Sequence, residues 1–366
     1  MREFVTHTSV EMDYQLKVIT LEPTPFCNQS CQTCNTWLLT RNREFISSHR
    51  GQEQYSLRNV IDQASEMGVE HINLAGAEPF AHKDTIELIE SIKAHGMECS
   101  LVSNGTLIDE QTAKRLIDSR IDAIRFSVDG ASPDIHDQVR GYKGSFVRVI
   151  TAIDTMNTYG DSQGYIPKLS FNTTISKLNF HEIPKMIELA RNHRIKKINF
   201  GLVIQTNSED LITTNQILGS GTTSEQFLKQ DDGLMFTNDE IHDLQILFGQ
   251  AEIVASEFGV EHNISLMRDY LKHPEAIISG RYLSPFMEEG ELNCVYPFKR
   301  TLVDTYGNVY PCSPIRRIIG NLKDSSLDEI WKGDSYEQFR ASFKAHGHFP
   351  ICLSCCNLNR GKGQKI

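Results

Sequence analysis

The sequence predicts an α/β protein: a partial (β/α)6 barrel followed by a small C-terminal domain made of a β-hairpin and a helix. Three observations carry this expectation. Between residues 15 and 204, β-branched alternating runs and helical runs follow one another until six strands have been passed, which is the rhythm of parallel βα units. After residue 205 that rhythm stops and a Thr/Ser/Asn/Gly-rich stretch, TTNQILGSGTTSEQ, begins. Finally, five of the nine cysteines fall from Cys294 onward, so the end of the chain carries ligand chemistry of its own. The expected organisation is a barrel core over 1–205, a helical and loop connection over 206–290, and a cysteine-bearing unit over 291–366.

Each element has its own signal. QLKVITLEP is the first strand, and it delivers the chain to a cysteine-rich loop. SLRNVIDQASEMG reads as a helix stopped at Gly68, and HINLAGAEP as a strand and turn. The pairs KDTIELIESIKAHG with ECSLVSNG, DEQTAKRLIDS with DAIRFSVDG, SFVRVITAIDTMNTYG with KLSFNTTI, and FHEIPKMIELARNH with KKINFGLVI continue the alternation. Six units are too few for a closed eight-stranded barrel, and in parallel βα folds ligands gather at the carboxyl ends of the strands. Further on, NDEIHDLQILFGQAEIVASEFG is helical, whereas the polar stretch before it is expected to be a surface loop. Residues 35–53 are expected to form a lid or a long loop, and the basic, Gly-rich tail 357–363 to be disordered.

Composition excludes several classes. Lys+Arg of 37 against Asp+Glu of 47 leaves a net charge of −10, which argues against a nucleic-acid or anionic-membrane footprint. No apolar run approaches a membrane span and the N-terminus lacks a signal-type apolar region, so a cytoplasmic protein without disulfides is expected. A small molecule or a peptide fits better as partner.

The chemistry is concentrated in Cys27, Cys31 and Cys34, spaced C-x3-C-x2-C just after the first strand. Structural zinc takes four ligands, whereas an iron–sulfur cluster held by three thiolates keeps one iron open. This spacing resembles the signature of the radical S-adenosylmethionine (SAM) superfamily, in which the open iron chelates SAM. The resemblance extends along the strand ends. Ala75-Gly76-Ala77-Glu78-Pro79 is similar to the family's Gly-Gly-Glu-Pro, which implies that Gly76 and Glu78 meet the SAM amino group, with Ala77 departing from the second glycine. Ser103-Asn104-Gly105 would face the ribose. Ser127-Val128-Asp129-Gly130, followed by His136-Asp137-Gln138-Val139-Arg140-Gly141, looks like the SPASM and twitch branch; Ser127 would approach SAM and Arg140 would pair with its carboxylate. His136 and Asp137 read equally as a structural pair. Asn172 and Thr174 alternate on the fifth strand and would point into the barrel. Thr33 stands where the family has an aromatic, a contact that Trp37 could replace.

At the other end, Cys294, Cys312, Cys352 and Cys355 resemble the twitch domain, with Gly307 as the hairpin turn that brings Cys312 back towards Cys294. The resemblance implies two 4Fe–4S clusters, one binding SAM and one auxiliary, and an external one-electron reductant of flavodoxin or ferredoxin type. A zinc site satisfies the same four-ligand count. Cys99 is read as a buried apolar residue, and Cys356 as a spare thiol.

The implied activity is that of a radical SAM oxidoreductase: reductive SAM cleavage, hydrogen abstraction, and net oxidation of a sugar or aminocyclitol. That substrate is preferred because no N-terminal segment long enough for peptide recognition is present. A peptide maturase forming a cross-link or oxidised residue, a redox-neutral epimerase using Cys356, and a non-enzymatic iron–sulfur or zinc-binding interaction protein are the alternatives.

Overall fold

The computed structural model describes residues 14–34, 52–203, 207–219, 232–288, 292–355 and 359–360. Trp37, Cys356 and most of the expected lid, polar loop and tail lie outside these residues.

The barrel begins with β1 (Val18–Glu22), then α1 (Leu57–Glu66), β2 (His71–Leu74), α2 (Thr85–Ala94), β3 (Glu98–Ser103), α3 (Glu110–Asp118) and β4 (Ala123–Ser127). It continues with α4 (Pro133–Arg140), α5 (Ser145–Gln163), β5 (Lys168–Ile175), α6 (Ile183–Asn192) and β6 (Lys197–Leu202). Strands β1 to β6 pair in sequence order and all in parallel. The local reasons are ordinary. In α1 the Ser56 hydroxyl accepts from the Asn59 amide, Leu57, Val60, Ile61 and Ala64 form the buried stripe, and Gly68 ends the turn at φ +71°.

Strand alternation sorts the two faces. Ile19, Leu21, Ile72, Leu74, Ile124 and Phe126 are fully buried beneath the helices. The opposite face presents Thr20, Asn73, Arg125, Asn172 and Asn199, all half-buried. The barrel interior is therefore polar and only partly filled, unlike the layered apolar interior of a closed (β/α)8 barrel.

Beyond the sixth strand, α7 (Ser208–Leu218) occupies the first half of the stretch expected to be a polar loop. It is a helix because Leu211, Thr214 and Leu218 are buried at helical spacing, and the Thr214 hydroxyl accepts from the Ile351 amide at 3.1 Å. Next, α8 (Asn238–Phe258) packs on α6 and feeds β7 (Glu261–His262), which adds in parallel to β6. Short helices α9 (Ile264–Tyr270), α10 (Pro274–Ile278) and α11 (Ser284–Glu288) lead to β8 (Leu292–Asn293).

The C-terminal elements are α12 (Tyr296–Lys299), β9 (Arg300–Asp304), β10 (Asn308–Tyr310), β11 (Gly320–Asn321), α13 (Leu327–Lys332), α14 (Asp334–His346) and β12 (Asn359–Arg360). Gly307, at φ +83°, turns β9 into β10 as expected, and the two strands pair antiparallel. This hairpin also joins the barrel, because β9 pairs in parallel with β1, giving one ten-stranded sheet ordered β11-β10-β9-β1-β2-β3-β4-β5-β6-β7. Two tail residues, expected to be disordered, are paired: β12 runs antiparallel to β8. The C-terminal helices are fastened by Arg340, almost fully buried, whose guanidinium lies 4.2 Å over Trp331 and 4.4 Å over Tyr336 and donates to the Pro297 carbonyl at 2.8 Å.

Candidate active site and the two thiol sets

The loop carrying Cys27, Cys31 and Cys34 leaves the carboxyl end of β1 and is clasped by the C-terminus of α4. The last carbonyls of that helix, Val139 and Arg140, accept from the Gln32 and Ser30 amides at 2.8 and 3.3 Å. Helix ends leave such acceptors unfilled, so the loop completes the helix as the helix holds the loop. The approach is close enough to need a glycine: Gly141 sits at φ +59°, and a Cβ there would lie 2.3 Å from the Ser30 carbonyl.

Gln29, buried in the loop, ties this clasp to the barrel. Its amide nitrogen donates to the Ser145 hydroxyl at 2.7 Å, and its oxygen accepts from Arg140 Nε at 2.9 Å. Arg140 Nη1 donates to Asp129 Oδ2 at 2.9 Å, while Asp129 Oδ1 accepts from the Thr174 amide. His136 Nδ1 accepts from the Asp129 amide, which leaves Nε2 to donate to Ser145 at 3.1 Å. Burial, and then the Arg140 charge, push the His136 pKa down to about 3, so the ring is neutral. Asp137 accepts from the Gly144 and Phe146 amides and starts α5. Of the two readings of His136 and Asp137, the structural one fits, and Arg140 is occupied by Asp129 and Gln29.

The strand ends form a second bracket. Glu78 is buried: Oε1 accepts from the Ser103 hydroxyl at 2.8 Å and the Phe80 amide at 3.1 Å, and Oε2 accepts from the Asn104 amide at 2.7 Å. A carboxylate has about four acceptor positions, so one remains for a cation. Burial raises the Glu78 pKa against those three hydrogen bonds. Asn104 donates to Asn28 at 2.9 Å and approaches Cys27 Sγ at 3.9 Å, joining the third strand to the cysteine loop. Gly76 has φ +105° with Glu22 packed against it, whereas Ala77 keeps an ordinary backbone; Arg120 and Arg194 are the only non-glycine residues at positive φ among the described residues. The substitution of the motif's second glycine therefore costs nothing in backbone strain. Ser127 lies half-buried at the end of β4 on the lumen face.

Burial raises the pKa of Cys27, and pushes Cys31 up to about 12. The positive charge that faces them is Arg140: burial alone would lower its pKa, but Cys31 and Asp129 more than offset that. Thiolates are the ligating form, and the loop meets them with a fixed cation and the Gln29 amide, 3.5 Å from Cys27 Sγ.

Cys294, Cys312, Cys352 and Cys355 ring one apolar hollow, walled by Tyr296, Pro297, Pro314, Ile315, Phe339 and Phe343. Burial raises Cys294, pushes Cys352 up to about 12 and raises Cys312 well above an ordinary thiol, with neighbouring thiols adding to the last two. Among the described residues no three His, Cys, Asp or Glu side chains converge on a single ion position; the four thiols stand around the hollow. Three thiols set among polar side chains and four around an apolar space are donor sets suited to an open and a closed cluster respectively.

The model of the radical SAM superfamily matches residues 21–190, and that of an iron–sulfur cluster-binding domain, SPASM, matches residues 294–356. The chain belongs to the radical SAM superfamily, in its SPASM/twitch subgroup. The cofactors of this architecture are SAM and two 4Fe–4S clusters. The AdoMet-dependent heme synthase of Methanosarcina barkeri is 24% identical over 338 residues, 92% of this chain and 88% of that protein. The PqqA peptide cyclase of Rhizobium meliloti is 30% identical over 201 residues, 53% of this chain and half the length of that protein. Among solved structures, Streptococcus suis SuiB bound to S-adenosylmethionine superposes with a TM-score of 0.62 at 15% identity, covering 93% of this chain and 72% of SuiB; at that identity the likeness is one of fold. Among the described residues, no helix is long and apolar enough to cross a membrane.

The motifs led to the thiols and the strand ends, but not to Gln29, Asp129 and Ser145, which hold the thiol loop. Asp129 was visible within Ser-Val-Asp-Gly; Gln29 and Ser145 carry no signal of their own until the helix closes on the loop.

Proposed function

We propose that this radical SAM enzyme carries out a net two-electron oxidation of a peptide substrate held in the barrel lumen. Cys27, Cys31 and Cys34 would hold the SAM-binding cluster, and Cys294, Cys312, Cys352 and Cys355 the auxiliary one. Gly76, Glu78, Ser103, Asn104 and Ser127 would line the SAM site, with Arg140 supplying a fixed positive charge beside the thiols. Bound there, these groups supply the one-electron chemistry that removes a hydrogen atom from an unactivated C–H bond. The protein holds the thiol loop rigid, sets the strand ends around the cofactor, and keeps the target carbon in a walled lumen away from bulk water.

The observation that carries the oxidative reading is the apolar hollow ringed by four protein thiols. With every ligand position filled by the chain, a cluster there suits electron acceptance better than substrate ligation. Peptide oxidation is preferred over a sugar or aminocyclitol because the relative matched at the highest of these identities is a peptide cyclase. The similarity to a heme synthase makes a tetrapyrrole the second substrate to try. A flavodoxin- or ferredoxin-type protein would supply the electron, and the cytoplasm is the expected setting.

The test is release of 5'-deoxyadenosine by anaerobically reconstituted protein, with SAM and reductant, against peptide and small-metabolite fractions, followed by product mass. Stimulation by the peptide fraction with loss of two hydrogens supports the reading. Stimulation confined to the metabolite fraction sinks the peptide substrate. An unchanged mass with deuterium gained from solvent sinks oxidation in favour of epimerisation.

A further inference from the structure

Arginine is seldom left alone inside a protein, and seven of the described arginines illustrate that rule. Arg115, Arg140, Arg194, Arg268, Arg281, Arg316 and Arg340 each pair with a carboxylate. Arg125 does not. It sits in the middle of β4 between Ile124 and Phe126, both fully buried beneath the helices, so its own side chain enters the lumen. Its strand neighbours are Val102 on β3 and Ser170 on β5. It lies two residues before Ser127 and on the same face, one step deeper into the barrel. Among the described residues its guanidinium makes no hydrogen bond, ion pair or ring contact.

The charge nearest to it in effect makes matters worse. Burial lowers the Arg125 pKa and Arg300 lowers it further. Arg300 opens β9, in register with Val18 of β1, and lies 5.5 Å over the Tyr296 ring without a carboxylate partner among the described residues. His71, at the start of β2, is lowered first by burial; the Glu98 and Asp122 carboxylates oppose that, and both arginines reinforce it. It is held by Ser100 at 2.7 Å, which in turn donates to Asn73 at 2.8 Å. Two cationic side chains thus share the lumen face with His71, Ser100 and Asn73, in a chain whose net charge is −10. Even partial desolvation of a guanidinium without a counter-ion works against folding. An anion bound in use would offset that cost.

We propose that Arg125 and Arg300 form a subsite in the barrel lumen that binds a carboxylate of the substrate, an acidic side chain of the peptide. Two guanidinium groups suit a carboxylate because each offers paired donors in one plane. His71, neutral and pinned by Ser100, shares that face without adding charge. The auxiliary cluster is the competing counter-ion. Arg300 acts on Cys294, and Tyr296, a wall of the thiol hollow, acts on Arg125; no thiol acts on Arg125 itself, and its place in the middle of β4 on the lumen face favours a ligand there. The word peptide rests on the function proposed above; the carboxylate does not.

The test uses the reconstituted protein with SAM and two fluorescent hexapeptide pools, one with a fixed Glu and the other with Gln in its place. Binding is read by anisotropy, alongside equilibrium dialysis of glutarate and glutaramide. The protein is expected to prefer the Glu pool by about tenfold or more, the worth of a charge-assisted hydrogen bond. Arg125→Gln should abolish that preference, Arg125→Lys should keep part of it, and Arg300→Gln should weaken it. Iron content and melting temperature are followed in each variant, so that Arg125→Lys and Arg300→Gln still decide the matter if Arg125→Gln does not fold. Equal binding of the two pools overturns the subsite and leaves the peptide reading standing. Arg125-dependent binding of glutarate over glutaramide, with neither pool bound, supports the subsite and overturns the peptide reading. A lowered auxiliary-cluster potential in both Gln variants, with the Glu preference intact, makes the pair a counter-charge for the cluster and overturns the proposal.

Discussion

The two thiol sets are held by opposite means. Cys27, Cys31 and Cys34 ride on a loop that owns no regular structure, and a net of polar side chains fixes it: Gln29, Asn104, Arg140, Asp129, Ser145 and His136. Cys294, Cys312, Cys352 and Cys355 face a hollow walled by Pro314, Ile315, Phe339 and Phe343. Directional bonds can leave one side of a site open, because position is set by geometry and not by enclosure. Apolar walls fix position only by closing around it. An open cluster that must accept a ligand suits the first arrangement, and a closed one that must only exchange electrons suits the second.

The largest effects come from breaking each set in turn. Cys31→Ala should abolish SAM cleavage and remove about one cluster of iron, whereas Cys312→Ala should remove a similar amount of iron and spare SAM cleavage without product. Iron and 5'-deoxyadenosine assays on both variants check this, and equal loss of SAM cleavage in the two would erase the distinction. Next comes Gly141→Ala, which leaves every thiol in place. A left-handed alanine costs about 1–2 kcal/mol before the collision with the Ser30 carbonyl is counted, so the N-terminal cluster should be lost selectively while the auxiliary one stays, read by iron content and electron paramagnetic resonance.

The smallest effect sharpens the contrast through pH. His136 binds a proton near 6.5 when unfolded and only near 3 when folded, because burial excludes the charge. Its contribution to stability is therefore complete above about pH 6.5 and is lost as pH falls, by about 2 kcal/mol between pH 7 and pH 5. Since His136 positions Ser145, which in turn holds Gln29, acid should loosen the N-terminal loop first. Chemical unfolding of cluster-loaded protein at both pH values should show that loss, and His136→Gln, less stable at pH 7, should show about 2 kcal/mol less of it.

Much of the barrel was legible because its signals are local. Alternation marked QLKVITLEP and HINLAGAEP as strands, whose Ile19, Leu21, Ile72 and Leu74 the structure buries on one face, and the glycines at 68 and 307 marked the turns that the structure contains. The first three thiols stood out by their spacing, and the other four were grouped by the twitch resemblance; the structure brings those four around one hollow. What could not be read were relations between distant segments. Nothing around Arg300–Asp304 announces that it pairs with Val18–Glu22, and the polar residues of α7 outvoted Leu211, Thr214 and Leu218. Arg140 was found for its charge, but its partner Gln29 came into view only when the helix end met the loop. Arg125, unremarkable among the chain's basic residues, became notable only once it could be seen to have no counter-ion among the described residues.

The placement of β1 has a consequence for how the molecule is made. It is flanked by β2 on one side and β9 on the other, so its second edge is covered by residues drawn from the opposite end of the chain. During synthesis that edge stays open until nearly everything else has emerged, and such distant pairing is slow to form. An open edge in a half-built sheet is a template for wrong partners. Iron delivered early to the first three cysteines would meet an unfinished sheet, and truncation before Asp304 would leave it permanently so.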